Sequence, residues 1–482
     1  MNYCEKFQIL LMTIFRTLFL LLFFFLMAPS VFGQASVSVL HIDTIYVEGN
    51  ARTRSGVILR ELDFAVGDSL AMDDLQALLE RNTRYLMNTG LFNRVLINVR
   101  DWDVERQRIG ILVEVEEGWY FYPIPLFDLA DRNFNVWWRD YQRDLRRINL
   151  GVYFRHSNFS GRMDAFKLKL QLGFTRKLEA EYDLPFFDVR RHWGLGFNLL
   201  LSDSKYLRYN TYENREQFVY FPDKRILQRF RLSLSLRRRP ALRSTQRLEL
   251  GFYRTRIDTL IATDYNPDFL GEGRSLQRYF FFRYAFEWDG RDIRPYPRRG
   301  LYLLARFEKL GLGLFGDLQA AYADMTLRQY WPAAQRAGFE LVFRTRLALQ
   351  RGRQPYYNSR ALGYEEDYLR GYEYYLIDGL DWAFAKCSFH LPLLYRVHEW
   401  GRLMPFRGFR QMPLRVYLSF HAELGYVNNP YHAEGNSFAN AWLPAYGIGL
   451  DIVSYYDKVV LLEVSRNKLG EIGFFLHWRI GG

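Results

Sequence analysis

Phe339-Glu340-Leu341-Val342-Phe343-Arg344-Thr345-Arg346-Leu347-Ala348-Leu349-Gln350 reads differently on its two parities. Leu341, Phe343, Leu347 and Leu349 fall on one; Val342, Arg344, Arg346 and Gln350 fall on the other. Successive side chains of a strand point to opposite faces, so this run has one apolar face and one arginine-bearing face. A strand with lipid on one side and water on the other has that pattern. A second run of the same kind, Asp381–Leu393, follows after a long loop containing Leu369-Arg370-Gly371-Tyr372. Such a loop must sit at a barrel mouth or fold into the lumen. A guanidinium in a lumen needs an acidic partner from the wall.

The same period recurs along the chain from Trp119 onward. Phe166–Phe174, Arg229–Arg237 and Arg415–Tyr426 are clear cases, and weaker runs from Tyr120–Leu129 to Ile472–Arg479 bring the total to about sixteen strands of roughly 9–13 residues. A soluble β-sandwich could not expose Leu, Phe and Tyr on nearly every strand. Open sheets do not span lipid, so closure into an antiparallel barrel is expected. Short turns are expected at Ser157–Gly161, Arg238–Ser244 and Tyr455–Asp457. Long loops are expected at Phe127–Arg147, Asp203–Gln228, Ala262–Ser275, Arg353–Leu380 and Asn428–Trp442.

Composition agrees. Of 482 residues, 18% are aromatic, as in barrels with interfacial girdles. A mean hydropathy of -0.23 excludes a bundle of membrane helices. Residues 1–33 read as a secretory signal peptide, with Lys6 and Arg16, an apolar run Leu18–Met27, and Val31-Phe32-Gly33 at the cleavage end. An uncleaved anchor is the rival reading. The mature chain then keeps only Cys387, which leaves no internal disulfide and no thiolate metal cluster. The net charge of +12 raises nucleic acid as a partner. An exported chain rarely meets it, so no nucleic acid is expected, and lumen arginines with lipid phosphates account for the charge.

Residues 38–117 form a different unit. Val39–Glu48 alternates, Thr53–Leu62 reads as a short helix, Met72–Met87 as a longer one, and Arg94–Trp102 and Arg108–Glu116 as strands. Gly67-Asp68-Ser69 reads as a break that caps the second helix. The order β-α-α-β-β describes a small α+β domain.

Motifs for chemistry are thin. Gly311-Leu312-Gly313-Leu314-Phe315-Gly316 fits GxGxxG literally, but a strand follows rather than a helix, so it reads as a hairpin tip. His390, His421 and His477 land on the polar parity of their strands and read as wall residues. The reading is no enzyme, no cofactor and no metal. For Arg370 the best partner is Glu423. On Arg415–Tyr426 it shares a face with Arg415, Tyr417, Ser419, His421 and Gly425, opposite Val416, Leu418, Phe420, Ala422 and Leu424. The residues alone leave two alternatives, a solvated loop arginine or a buried pair with Glu423.

Residues 38–117 resemble a POTRA (polypeptide-transport-associated) domain through Val47-Glu48-Gly49-Asn50, Arg60-Glu61-Leu62, Gly67-Asp68, Thr89-Gly90-Leu91-Phe92 and Val113-Glu114-Val115-Glu116. The whole mature chain resembles the BamA/TamA-like outer-membrane assembly and secretion superfamily. The further carrying residues are Leu369-Arg370-Gly371-Tyr372, Trp288-Asp289-Gly290-Arg291-Asp292 with Pro297-Arg298-Arg299-Gly300, and His421-Ala422-Glu423-Leu424-Gly425-Tyr426. The resemblance implies that the Arg370 loop enters the barrel and that Arg370 pairs with Glu423. A second acid usual in the family would stand at Ser388, so that partner is absent from its usual place.

The resulting expectation is a signal peptide (1–33), a periplasmic POTRA-like domain (38–117) and a transmembrane antiparallel β-barrel of about sixteen strands in the outer membrane (118–482). Its role would be insertion or translocation of unfolded outer-membrane or secreted polypeptides, with outer-membrane lipid around it and periplasmic or lipoprotein accessory subunits as further partners. The alternatives are a substrate-specific or passive pore and a structural barrel anchoring a surface partner.

Overall fold

The computed structural model describes residues 39–129, 137–138, 142–188, 192–294, 296–333, 337–364, 367–399, 401, 411–454 and 459–479. Residues 1–33, expected to be a signal peptide, and the turn expected at Tyr455–Asp457 lie outside the described residues.

The N-terminal domain contains β1 (Val39–Glu48), α1 (Ser55–Arg60), β2 (Ser69–Ala71), α2 (Leu75–Met87), β3 (Phe92–Asp103) and β4 (Arg108–Glu117). Its sheet runs β2-β1-β4-β3, with β1 parallel to β4. Inward residues of β1, β3 and β4 meet both helices in one apolar core that includes Ile42, Ile58, Leu86, Ile97, Ile111 and Val113. Ser69 departs from expectation. It opens β2 and pairs with His41, because the exposed edge of β1 offers Ser69–Ala71 a ladder. The second helix begins only at Leu75, with no side-chain cap from Asp74. The motif glycines are conformational: Gly49 has φ +85°, and a Cβ there would lie 2.0 Å from the Val115 carbonyl oxygen.

Sixteen antiparallel strands make the barrel wall. They are β5 (Phe121–Leu129), β6 (Ile148–His156), β7 (Ala165–Gly173), β8 (Thr175–Leu184), β9 (Trp193–Ser204), β12 (Leu227–Ala241), β13 (Ser244–Ile257), β14 (Leu276–Asp289), β15 (Gly300–Leu310), β16 (Ala320–Pro332), β17 (Gly338–Ala348), β20 (Asp381–Glu399), β21 (Gln411–Asn428), β22 (Trp442–Val453), β23 (Val459–Asn467) and β24 (Ile472–Arg479). Each pairs with its sequence neighbours in the wall. Among the described residues no ladder joins β24 to β5. Pro123 and Pro125 therefore lie on an edge strand, where missing donors cost least.

Two features exceed the expected strand pattern. β20 and β21 have 19 and 18 residues, because their hairpin continues past the bulge at Pro392/Leu394 as an exposed ribbon at the N-terminal-domain end. The loop expected at Asp203–Gln228 folds into a hairpin of β10 (Tyr206–Tyr212) and β11 (Arg215–Tyr220), turned by Glu213 and Asn214 at positive φ.

At the far end of the barrel the long loops pack together. The β10–β11 hairpin, residues 258–275, the segment 353–380 with its small pair β18 (Arg360–Leu362) and β19 (Ile377–Asp378), and residues 429–441 share apolar clusters. Asn214 ties three of them: its backbone N–H donates to Asn436 Oδ1, its carbonyl accepts from Leu376 N–H, and its Oδ1 accepts from Phe438 N–H. These loops form a cap over the far mouth.

The near end is docked to the N-terminal domain. Tyr120 and Phe186 enter the domain's core. Thr53 Oγ1 lies 2.9 Å from Tyr120 Oη and accepts from Asn158 Nδ2, and Arg54 N–H donates to Gly161 O.

Candidate functional site: a buried arginine anchor in the lumen

Loop 353–380 descends into the lumen and delivers Arg370 to the wall. Glu423 receives it twice. Its Oε2 accepts the Arg370 backbone N–H and its Oε1 accepts from Nη1, both at 2.9 Å. Nη1 also reaches Ser388 Oγ at 3.3 Å, so the serine supplies a weaker contact where the second acid is missing. The missing charge comes from elsewhere: Glu463 Oε1 on β23 lies 2.7 Å from Arg370 Nε. Both carboxylates are fully buried, and Lys386 stands 3.7 Å from Glu423. Two cations thus face two carboxylates. Burial by itself would discourage Arg370's charge, but Glu463 and Glu423 outweigh it and hold the guanidinium firmly protonated.

The neighbours of Arg370 are equally constrained. Leu369 is buried against Gly425, where a Cβ would come within 2.5 Å of it. Gly371 has φ +80°, and its carbonyl accepts from Asn467 Nδ2 at 3.0 Å. Tyr372 is buried in the cap, its hydroxyl donating to Pro444 O and accepting from Lys468 N–H. Because space around Gly371 is open to 3.5 Å, Gly371→Ala pays only the left-handed backbone cost. It is expected to lower stability by about 1–2 kcal/mol, read as a modest drop in denaturation midpoint in micelles.

Further along, the loop holds the last two strands. Tyr375 Oη donates to Glu471 Oε2 at 2.7 Å, His477 Nε2 lies 3.3 Å from Glu373, and Tyr368 stacks on the His477 ring at 5.0 Å. Glu373, Glu463 and His477 bring ligand-type atoms within 4.8 Å of one another. Arg370 already lies against Glu463 there, so a guanidinium supplies the positive charge that a metal ion would bring.

The sequence pointed to Arg370, Gly371, Tyr372 and Glu423, and the structure brings them together. It did not single out Glu463, although that is the lone acid of Val459–Asn467 and shares the lumen parity of Leu461 and Ser465. His390 and His421 line the lumen as expected, bonded to Asp451 and Ser465.

The turn Asp289–Gly300 lies elsewhere, at the docking face. Asp289 pairs with Arg291 and Arg294. Asp292 Oδ1 accepts the N–H groups of Ile293, Arg298 and Arg299, and Gly300 has φ +115°. Pro297 sits in this turn. Asn88, at the end of α2, donates to Asp292 O and accepts from Arg294 N–H. Nearby, Glu61 is clasped by Arg239 through two hydrogen bonds, the longer at 2.9 Å, and Arg60 also reaches it. Of the POTRA-like motif residues, Asn50 bonds Thr53 O, Asp68 caps Ala65 N–H, Gly67 and Gly90 take positive φ, and Leu91 and Phe92 are core.

Two family models match the chain: "Surface antigen variable number repeat" (POTRA) over residues 40–118 and "Omp85 superfamily domain" over residues 158–411. No curated protein shows significant sequence similarity. Among solved structures, the chain is similar to BamA from Haemophilus ducreyi lacking POTRA domains 1–3, at 13% identity and TM-score 0.51, covering 91% of this chain and 83% of that one. It is also similar to CdiB from Acinetobacter baumannii, at 11% identity and TM-score 0.51, covering 92% and 73%. A fold shared over nine-tenths of the chain, together with a family model spanning more than half of it, places this protein in the Omp85 superfamily, with an N-terminal POTRA domain before its transmembrane barrel.

Proposed function

We propose that this protein inserts or translocates polypeptides at the outer membrane, with residues 38–117 in the periplasm, residues 118–482 as the barrel and residues 1–33 as the export signal. Membership of the Omp85 superfamily supports outer-membrane protein assembly or secretion in general. The observation that carries the finer reading is how the two edge strands are held. β5 is fixed at its start by Tyr120 in the POTRA core, and β23–β24 are fixed by Arg370, Gly371, Glu373 and Tyr375 of the lumen loop. Each edge is positioned by something other than the opposite edge, so a client strand can add to either without dismantling the wall. The exposed β3 edge of the POTRA sheet offers a first, weaker docking strand by the same mechanism. No covalent step is involved. Unfolded clients are the partners, and one POTRA domain leaves room for periplasmic or lipoprotein subunits.

The cap of interlocked loops over the far mouth weighs against a permanently open pore. Photo-reactive residues at Phe127 on β5 and Phe474 on β24, both well exposed, are expected to cross-link to client polypeptides, whereas one at Leu250 on β13 is not. Equal labelling from all three positions would contradict the edge-pairing reading.

A further inference from the structure

Several lumen arginines of the wall are matched by acids. Arg231 pairs with Glu179, Arg237 with Asp183, Arg283 with Glu249 and Glu308, and Arg346 with Asp324. Three arginines that cluster on the opposite, outward face are not. Arg176 on β8 and Arg254 and Arg256 on β13 are exposed and make no ion pair among the described residues. The acids beside them are already engaged: Asp203 with Arg225 at 2.6 Å, and Asp317 with Arg278 at 3.3 Å.

Strand register puts these arginines in two adjoining rows. In one, Val152, Leu170, Leu178, Leu201 and Phe230 are successive cross-strand neighbours from β6 to β12, Arg254 follows on β13, and Arg278, paired with Asp317, stands next to it on β14. In the next row toward the far end, Arg176 neighbours Asp203, Asp203 neighbours Gln228, and Gln228 neighbours Arg256. On the other side lies a wholly apolar row that includes Leu168, Leu199 and Phe252. Hydrophobic wall thus gives way, two residues along the strand, to arginines without an acid partner. The boundary encloses a groove of about 730 Å³ lined by members of both rows.

We propose that this outward groove binds a phosphate-bearing lipid of the surrounding leaflet. Its acyl chains lie along the Val152–Phe230 row, and its phosphate meets Arg176, Arg254 and Arg256. The apolar row continues into the lipid-facing wall, so an amphiphile fits it and a soluble anion does not fill it. Guanidinium groups match phosphate oxygens through paired N–H donors. A cationic side chain near an anionic bilayer surface contributes roughly fivefold in affinity, so three give on the order of a hundredfold.

The test is native mass spectrometry of the purified full-length protein in detergent, titrated with phosphatidic acid, with diacylglycerol of the same acyl chains, and with inorganic phosphate. Wild type is expected to bind phosphatidic acid, bind diacylglycerol at least tenfold more weakly and bind inorganic phosphate not at all. The triple variant Arg176→Gln, Arg254→Gln, Arg256→Gln is expected to lose roughly a hundredfold, and the corresponding triple Lys variant to stay within tenfold of wild type. Heat-modifiable gel migration verifies that each variant remains a folded barrel. Phosphatidic acid binding that survives the triple Gln change, equal binding of diacylglycerol, or binding of inorganic phosphate alone would overturn the proposal. None of these readouts depends on the assembly function.

Discussion

Arg370→Ala is expected to cost about 3–5 kcal/mol, because it removes the one guanidinium that lies between two buried carboxylates. Glu423 and Glu463 are almost fully buried; the groups left beside them are Lys386, 3.7 Å from Glu423, and the imidazole of His477, 3.5 Å from Glu463, and neither bridges the two carboxylates as the guanidinium does. Relief requires protonation of a carboxyl or withdrawal of the loop so that water can enter. Withdrawal would also release Tyr372 from Pro444 and Tyr375 from Glu471, so the cap and the last two strands should loosen together. The expected result is a lower denaturation midpoint and new protease sensitivity within 353–380. Arg370→Lys restores charge but cannot contact Glu423 and Glu463 with separate nitrogens of one planar group, so only partial recovery is expected. Protease resistance equal to wild type in the Ala variant would show that the anchor does not hold the loop.

The second large effect is expected at Glu61. Its carboxylate, 4% exposed, faces Arg239 from the barrel and Arg60 from its own helix. Removing it leaves two half-buried guanidinium groups facing each other, a loss of about 3 kcal/mol. Most of that loss falls on domain docking rather than on the barrel, because Arg239 sits in the last residues of β12, at the end that faces the N-terminal domain. Spin-label distances between the POTRA domain and the barrel should broaden in Glu61→Ala, while barrel stability changes little. pH acts through the same pair. Burial favours the neutral acid, but Arg239 and Arg60 outweigh it and hold Glu61 below its ordinary value. Its contribution is therefore fully present above the unfolded carboxyl value of about 4.3 and is lost as pH falls through the lower folded value. Docking should persist unchanged from about pH 8 to 5 and loosen only in stronger acid. Distance distributions that broaden between pH 7 and 6 would contradict this assignment.

Much of the wall was legible because lipid imposes a period of two that no local choice can disguise. Ile148–His156, Leu276–Asp289 and Ile472–Arg479 agree with the observed strands at both ends. Where lipid stops, the signal stops too. The extension of β20 to Glu399 is exposed on both faces and loses its alternation, and the β10–β11 hairpin belongs to the cap, whose burial is set by other loops. The anchor was half legible. Arg370 and Glu423 lie on neighbouring segments, and strand parity alone aims Glu423 inward. Glu463 comes from two strands further round, and nothing local links it to Arg370. Its one available signal was an isolated acid inside the apolar run Val459–Val464. Likewise the Asp289–Gly300 turn was visible as a motif, but its contact with Asn88, about two hundred residues earlier, belongs to the docked domain and not to the turn.

The most direct test of the assembly reading is quantitative outer-membrane proteomics in the native host after depletion of this protein, with complementation by wild type or Arg370→Ala at matched membrane levels. Depletion is expected to remove other barrels or exported proteins, with recovery by wild type and failure by Arg370→Ala. Loss of many barrels marks a general role, and loss of one or two exported proteins a dedicated one. An unchanged proteome after depletion would contradict the account and return the protein to the pore alternative.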